Sequence, residues 1–178
     1  MNSSRSRCKW RAPLLLAVVV SLAAQQKPYK QREEKLPGDP VKQPIGYSHK
    51  THVALGLKCA NCHTIPGEGF LATYPKEEFC MGCHGSIKKD SAEIQKLAEF
   101  AAKKQAVPWA RVYQAPDIVW FSHASHARDA KIECAVCHGD VAQRDVLFKE
   151  ASTGMNACMA CHAARKVSNG CDFCHATQ

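Results

Sequence analysis

The chain has 178 residues, a formal net charge of +8, 11 cysteines and 9 histidines. This length allows one domain or two very small ones, and it excludes a large doubly wound enzyme or a barrel. Aromatic residues are only 7% of the chain, so a side-chain core would be thin and whatever the cysteines and histidines bind has to supply much of the interior.

Arg5, Arg7, Lys9 and Arg11 give a basic start, and a thirteen-residue, mainly apolar run follows from Ala12 to Ala24. That matches a secretory h-region and falls short of the ~20 residues needed to span a bilayer. Ser21, Ala23 and Ala24 offer small residues for cleavage. Residues 1–24 therefore read as a signal peptide, with a short retained anchor as the alternative, and the chain as exported to the periplasm, free or membrane-associated. Cys8 precedes the apolar run and leaves with it. Residues 25–46 carry Pro28, Pro37, Pro40 and Pro44 and read as an extended, largely unstructured Pro-rich leader.

From residue 47 onward the cysteines and histidines fall into a pattern. Ten cysteines form five Cys-x-x-Cys pairs, each followed at once by histidine. The first is Cys59, Cys62 and His63; the second is Cys80, Cys83 and His84; the third is Cys134, Cys137 and His138. The fourth is Cys158, Cys161 and His162, and the fifth is Cys171, Cys174 and His175. Composition alone predicts roughly 0.03 such motifs, so the five are no accident. Two thiols three positions apart can add to the two vinyl groups of one porphyrin, and the adjacent histidine then gives the iron its proximal nitrogen. This is the attachment signature of haem c. Zinc ribbons also use Cys-x-x-Cys pairs, but need no histidine after each, and five pairs leave one unmatched. A disulfide scaffold suits an exported chain and leaves the five histidines unexplained.

The other four histidines form two similar elements, Tyr47-Ser48-His49-Lys50-Thr51-His52 and Phe121-Ser122-His123-Ala124-Ser125-His126. His49 stands ten residues before Cys59, and His123 eleven before Cys134. The chain thus repeats a unit, aromatic-Ser-His-x-x-His followed by Cys-x-x-Cys-His. These four read as distal axial ligands rather than surface histidines. An iron with histidine on both sides is six-coordinate and low in potential, which suits electron transfer.

Between the repeats, residues 90–105 predict a helix. Asp90 and Glu93 resemble a capping box. Ile94, Leu97, Ala98 and Ala101 share one face, and Pro108 sets the limit. This spacer (90–106) divides a dihaem unit (47–89) from a trihaem unit (107–178). Ile118 to Phe121 is short, apolar and extended. The fold class expected is a multihaem cytochrome c packed on haem, with a few short α-helices, mostly coil and minimal β-structure.

Charge needs correcting for both the signal and the cofactor. Removing four basic residues with the signal leaves about +4, and five haems add roughly −5 when oxidised or −10 when reduced, so a basic sequence does not indicate nucleic-acid binding.

The aromatic-x-His-x-x-His element before Cys-x-x-Cys-His resembles the class III small multihaem cytochromes c, and residues 121–175 resemble a trihaem module of that class. The resemblance implies that His123 caps the haem of His138 and His126 that of His162. By analogy with that module, His52 falls to His84, with capping across the two units as the alternative. The last haem's distal ligand normally precedes the second motif of the module. Here that stretch holds no histidine but does hold Met155. Met155 is thus the candidate ligand for the haem of His175; otherwise Met155 is packing and that haem is five-coordinate or held by lysine. Over residues 45–175 the chain resembles the pentahaem cytochrome c subunit of alternative complex III, a bacterial membrane quinol-oxidising assembly. The resemblance rests on Ser-His-Lys-x-His (48–52), Val-Pro-Trp-Ala-Arg-Val (107–112) and Pro-Asp-Ile-Val-Trp-Phe-Ser-His (116–123). It departs at Ala163, where a basic residue often follows the fourth motif, and in having a marginal apolar run where family members carry a clear membrane helix.

The expected function is single-electron transfer along five covalent haem c groups, between a redox protein donor and acceptor. The partner could be a membrane quinol-oxidising complex; no catalytic residue and no small-molecule substrate is expected. Nine histidines and Met155 make ten axial ligands for five irons. The alternative is a haem enzyme, peroxidase- or reductase-like, with an open coordination position at the last haem.

Overall fold

A computed structural model describes residues 34–67 and 71–175; the signal and the first part of the leader lie outside the described residues. The elements are short helices in chain order: α1 (His49–Ala54), α2 (Cys59–Cys62), α3 (Glu77–His84), α4 (Ala92–Ala102), a π-helical turn (Ala124–Asp129), α5 (Ala135–His138), a 3-10 turn (Val141–Gln143), α6 (Met155–Ala164) and α7 (Cys171–Cys174). Among the described residues β-structure is confined to one isolated antiparallel bridge, Val119 to His175. The described chain is short helices joined by coil, as the sequence predicts.

The spacer helix forms as expected in position but not in its cap. Ser91, not Asp90, is the N-cap residue, and it makes no side-chain cap bond. Glu93 is drawn elsewhere: its carboxylate accepts the Gly46 N–H at 2.6 Å and pairs with Lys96 at 2.7 Å. At the other end Lys104 takes φ 51°, and two bonds close the helix, Lys104 N–H to Ala101 O at 3.0 Å and Gln105 N–H to Phe100 O at 3.0 Å. This is the Schellman arrangement, here with lysine where glycine is usual. Lys166 (φ 58°) ends α6 the same way, with Val167 N–H on His162 O at 3.0 Å.

The small apolar centre sits between α3, α4 and the segments flanking them. Ile45, Leu97 and Val107 are buried, and Cys80, Met81, Ile94, Phe100 and Trp109 pack against them. Glu77, at the start of α3, is buried there and accepts the Val107 N–H at 2.7 Å. An amide left without its acceptor in such a place costs about 1–3 kcal/mol. Glu77→Ala should lower holoprotein stability by about that amount in thermal or denaturant unfolding; Glu77→Gln, which keeps an acceptor, should cost less.

The described part of the leader has no helix, yet it is pinned. Gln43 exchanges two bonds with the backbone of Ala110, both 2.9 Å. Gly38 and Val41 donate to Lys149 O and Leu147 O at 2.7 and 2.9 Å. The first repeat is tied to the segment after the third motif: Lys50 N–H reaches Arg144 O at 3.1 Å and the Ser48 hydroxyl reaches Asp145 at 2.6 Å.

Candidate haem-binding sites

Each attachment motif is one helical turn. The five motifs fall on α2, α3, α5, α6 and α7, with Cys134 as the residue before α5. Where the turn is isolated, the histidine N–H bonds back to the carbonyl of the first cysteine: His63 to Cys59 at 2.8 Å, His138 to Cys134 at 3.0 Å and His175 to Cys171 at 3.0 Å. Positions i, i+3 and i+4 of a helix share a face, so both thiols and the imidazole of one motif point the same way. Apolar residues accompany the motifs. Phe79, Val136, Met159 and Phe173 all stay exposed. Such side chains suit an apolar porphyrin face.

The ten motif cysteines are not uniformly exposed. In four motifs the first cysteine is exposed and the second half-buried: Cys59 and Cys62, Cys134 and Cys137, Cys158 and Cys161, Cys171 and Cys174. The second motif reverses this order, which its spacing does not announce. Cys80 is half-buried, because it packs against the apolar centre of Ile45, Leu97 and Val107, and Cys83 is the exposed member. The Cys83 carbonyl ends α3 by accepting the N–H of Ser86 at 3.0 Å and of Ile87 at 3.1 Å.

The four histidines of the repeats each meet one motif histidine. Ring centroids are 6.4 Å apart for His49 and His63, 6.2 Å for His52 and His84, 6.2 Å for His123 and His138, and 6.1 Å for His126 and His162. Two imidazoles on opposite sides of one metal, each nitrogen ~2.0 Å from it and each ring centre roughly 1.1 Å farther, stand roughly 6 Å apart. The residues present therefore fit an iron held between each pair. The ring planes are nearly parallel for His49/His63 and His123/His138 (9° each), inclined by 28° for His126/His162 and crossed at 61° for His52/His84.

Hydrogen bonds fix which nitrogen is free. Nδ1 of His52, His126, His63, His84, His162 and His175 faces the carbonyl of Ser48, Ser122, Thr73, Ile87, Ser168 and Ile118, respectively. A carbonyl only accepts, so Nδ1 carries the proton and Nε2 keeps the lone pair for a metal. Such partners orient a metal-binding histidine. The Schellman turn at Lys166 brings the Ser168 carbonyl back to His162. His49 differs, since its Nδ1 is buried without a partner. Burial lowers the His49 ring to about 4, with His63 and His52 adding, which keeps it in the neutral, lone-pair form. His138 is also lowered, by burial first and then by His123 and His63.

The repeated aromatic and serine have a structural job that the sequence did not disclose. Tyr47 lies edge-on to His49 (4.8 Å) and stacked on His52 (4.4 Å); Phe121 lies edge-on to His123 (4.8 Å) and tilted by 30° against His126 (4.7 Å). The serine hydroxyl accepts the N–H three residues on, Thr51 at 3.0 Å and Ser125 at 3.2 Å, while its carbonyl holds the second histidine. One short element thus aims two rings into two sites. The available signal was the serine repeated directly before the first histidine, which is the N-cap residue of α1 in the first repeat.

The thiols of different motifs are neighbours. Burial raises Cys80, and Cys62 adds to it. Burial raises Cys134, with Cys59 adding, and Cys137, with Cys161 adding. Burial raises Cys158, with Cys137, Cys174 and Cys161 adding. The thiols thus feel one another's charge across motifs in the order second to first, first to third, third to fourth and fourth to fifth. Close, consecutive sites of this kind are what electron hopping requires.

The last motif is anchored differently. His175 bridges to Val119, its Nδ1 donates to Ile118 O at 3.1 Å, and Trp120 N–H donates to Cys174 O at 2.8 Å. Met155 begins α6 and is about half exposed. It shares a helix face with Cys158, three residues on, whose thiol is near Cys174.

Among the described residues no helix is long and apolar enough to cross a membrane. A family model for cytochrome c3 matches residues 51–162. The chain is also 31% identical, over 206 aligned residues covering 98% of its own length and 94% of the relative's, to the menaquinone reductase multihaem cytochrome c subunit of Nitratidesulfovibrio vulgaris (strain Hildenborough).

Proposed function

The chain belongs to the cytochrome c3 family of multihaem cytochromes c, and from that premise we propose that it is a periplasmic five-haem electron carrier serving a quinone-linked membrane complex. The observation that carries this reading is the set of four histidine ring pairs at 6.1–6.4 Å, each joining one motif to one repeat element. The ten motif cysteines hold five haem c groups. His63, His84, His138, His162 and His175 are proximal ligands, and His49, His52, His123 and His126 are distal ones. Haem iron would supply the one-electron chemistry; the chain fixes the axial ligands, turns Nε2 toward the iron where a carbonyl holds Nδ1 and excludes other ligands from the paired positions. The relative's place in a menaquinone reductase supports a partner of the same kind here, with a redox protein on the other side of the exchange.

Haem quantitation on the purified holoprotein tests the count; fewer than five haems per chain overturns it. The compartment is tested by fractionating native cells and sequencing the mature N-terminus. A chain beginning after Ala24 supports cleavage, and an intact start in the membrane fraction supports an anchor.

Met155 is the proposed sixth ligand of the fifth haem. Methionine raises a haem's potential relative to histidine, which would make this site the highest in the chain. Met155→Leu should remove any methionine-to-iron charge-transfer band, lower the highest midpoint potential and turn one haem of five high-spin. A high-spin component that binds cyanide in the unaltered protein would instead favour the open-site, enzyme-like reading.

A further inference from the structure

The loop after the third motif makes contacts that haem attachment does not require. Tyr113 packs edge-on against the His138 ring, centroids 4.7 Å apart at 78°. Its hydroxyl donates to His138 O at 3.0 Å and accepts the Glu150 N–H at 2.8 Å. The Glu150 carboxylate accepts the Asp140 N–H at 3.1 Å and a two-pronged bond from Arg144, at 2.7 and 3.1 Å. Glu150 is only 14% exposed in its side chain. A forked pair of this geometry holds position better than an ordinary surface pair. Gly139 has φ 72°, and a Cβ there would sit 2.5 Å from the Glu150 Cβ. The glycine after His138 is therefore needed for the carboxylate to close over the turn.

The same loop has a second side. Arg144 O accepts the Lys50 N–H, and Asp145 accepts the Ser48 hydroxyl. Ser48 is the residue that caps α1 and holds His52. Residues 139–150 thus touch the proximal residue of the third site and the helix bearing the distal residues of the first two. Among the described residues no hydrogen bond or ring contact joins them to the side chains of His126 or His162.

We propose that Tyr113, Arg144 and Glu150 are positioning residues that set the His138 ring plane and, through Ser48 and Lys50, the orientation of the His49 and His52 rings. This rests on the reading of those histidines as axial ligands. In low-spin haem the angle between the two imidazole planes governs the splitting of the iron orbitals, so it is visible in the g values. Hydrogen-bonded surroundings also shift the potential.

The test is low-temperature paramagnetic resonance with a redox titration on holoprotein carrying Tyr113→Phe, Arg144→Lys or Glu150→Gln. Phe keeps the ring and loses all three hydroxyl bonds, the one from the Ala151 N–H at 3.4 Å included; Lys keeps the charge and loses the fork. Tyr113→Phe should shift one low-spin signal, from a nearly parallel pair, and move one midpoint potential. Arg144→Lys and Glu150→Gln should shift that signal and those of the first two sites, leaving the 28° pair of His126 and His162 unchanged. Unmoved g values and potentials alongside a lowered melting temperature overturn the proposal and leave only a structural role. If the unaltered holoprotein lacks bis-histidine low-spin signals, the ligand reading itself has failed, an outcome distinct from the first.

Discussion

Produced without haem attachment, the chain should not fold: its far-ultraviolet circular dichroism should be coil-like and heating should give no cooperative transition. Among the described residues, the buried side chains are few: Ile45, Leu97, Val107 and Ala124, with Glu77 the one buried charge. Each large one contributes roughly 1.5–3 kcal/mol, too little to order a chain whose described elements are all short, four of them no longer than a single turn. Three of the helices, α2, α5 and α7, are four residues long. Helices that short do not persist in water by themselves. On the proposed reading the motif turns would gain their order from two thioether links and an axial bond each, as other small scaffolds use disulfides or metals. Replacing both cysteines of one motif grades the effect. Losing the third motif (Cys134→Ala with Cys137→Ala) should destabilise most, because its turn carries the Tyr113 and Glu150 contacts and borders the first motif at Cys59. Losing the fifth should destabilise least, since its turn is held chiefly by the bonds to Ile118 and Trp120. A cooperative transition in the haem-free chain would refute the account.

How much of this could be read in advance depends on the range of the interaction. The attachment turns were legible because Cys-x-x-Cys-His is a local pattern that one helical turn satisfies. Which thiol of a turn faces inward was not, as the reversal at Cys80 and Cys83 shows: the apolar centre that covers Cys80 is assembled from residues as distant as Ile45 and Val107. The repeat elements were legible by their duplication, and the spacer helix by its 3.6-residue period. The cap of that helix was misread: Asp90 and Glu93 have the right spacing, but Glu93 is worth more to the Gly46 N–H, which lies 47 residues away. The leader looked featureless for the same reason. Gln43 finds its partner at Ala110, 67 residues on, and no local pattern announces that pairing. The carbonyls that set the histidine tautomers, Thr73, Ile87, Ser168 and Ile118, have no side-chain signature at all. Their positions follow from turns, such as the one at Lys166, that a lysine-for-glycine substitution conceals.

The four ring pairs make a second large prediction, because each distal histidine can be removed separately. His52→Gly and His123→Gly should each convert one haem of five to a high-spin form that binds carbon monoxide or cyanide, and the double variant should convert two. The sites are independent to this extent because each distal ring faces its own partner, His84 or His138. The lost signals should differ. His52→Gly should abolish the resonance of the crossed pair, the one at 61°, which is expected to be the most anisotropic of the four. His123→Gly should abolish one from a nearly parallel pair at 9°. Free imidazole should restore both to low spin, since glycine leaves room for it and the proximal Nε2 is unaltered. His84 has the longest of the carbonyl contacts, 3.4 Å to Ile87, whereas the proximal rings of the first and fourth sites are held at 2.8 Å. The ring opposite His52 is thus the least constrained, and imidazole rescue there should return a broader range of plane angles than the original 61° pair. Loss of all low-spin signals in either single variant would mean that the sites are not separable, and would sink the one-pair, one-iron assignment.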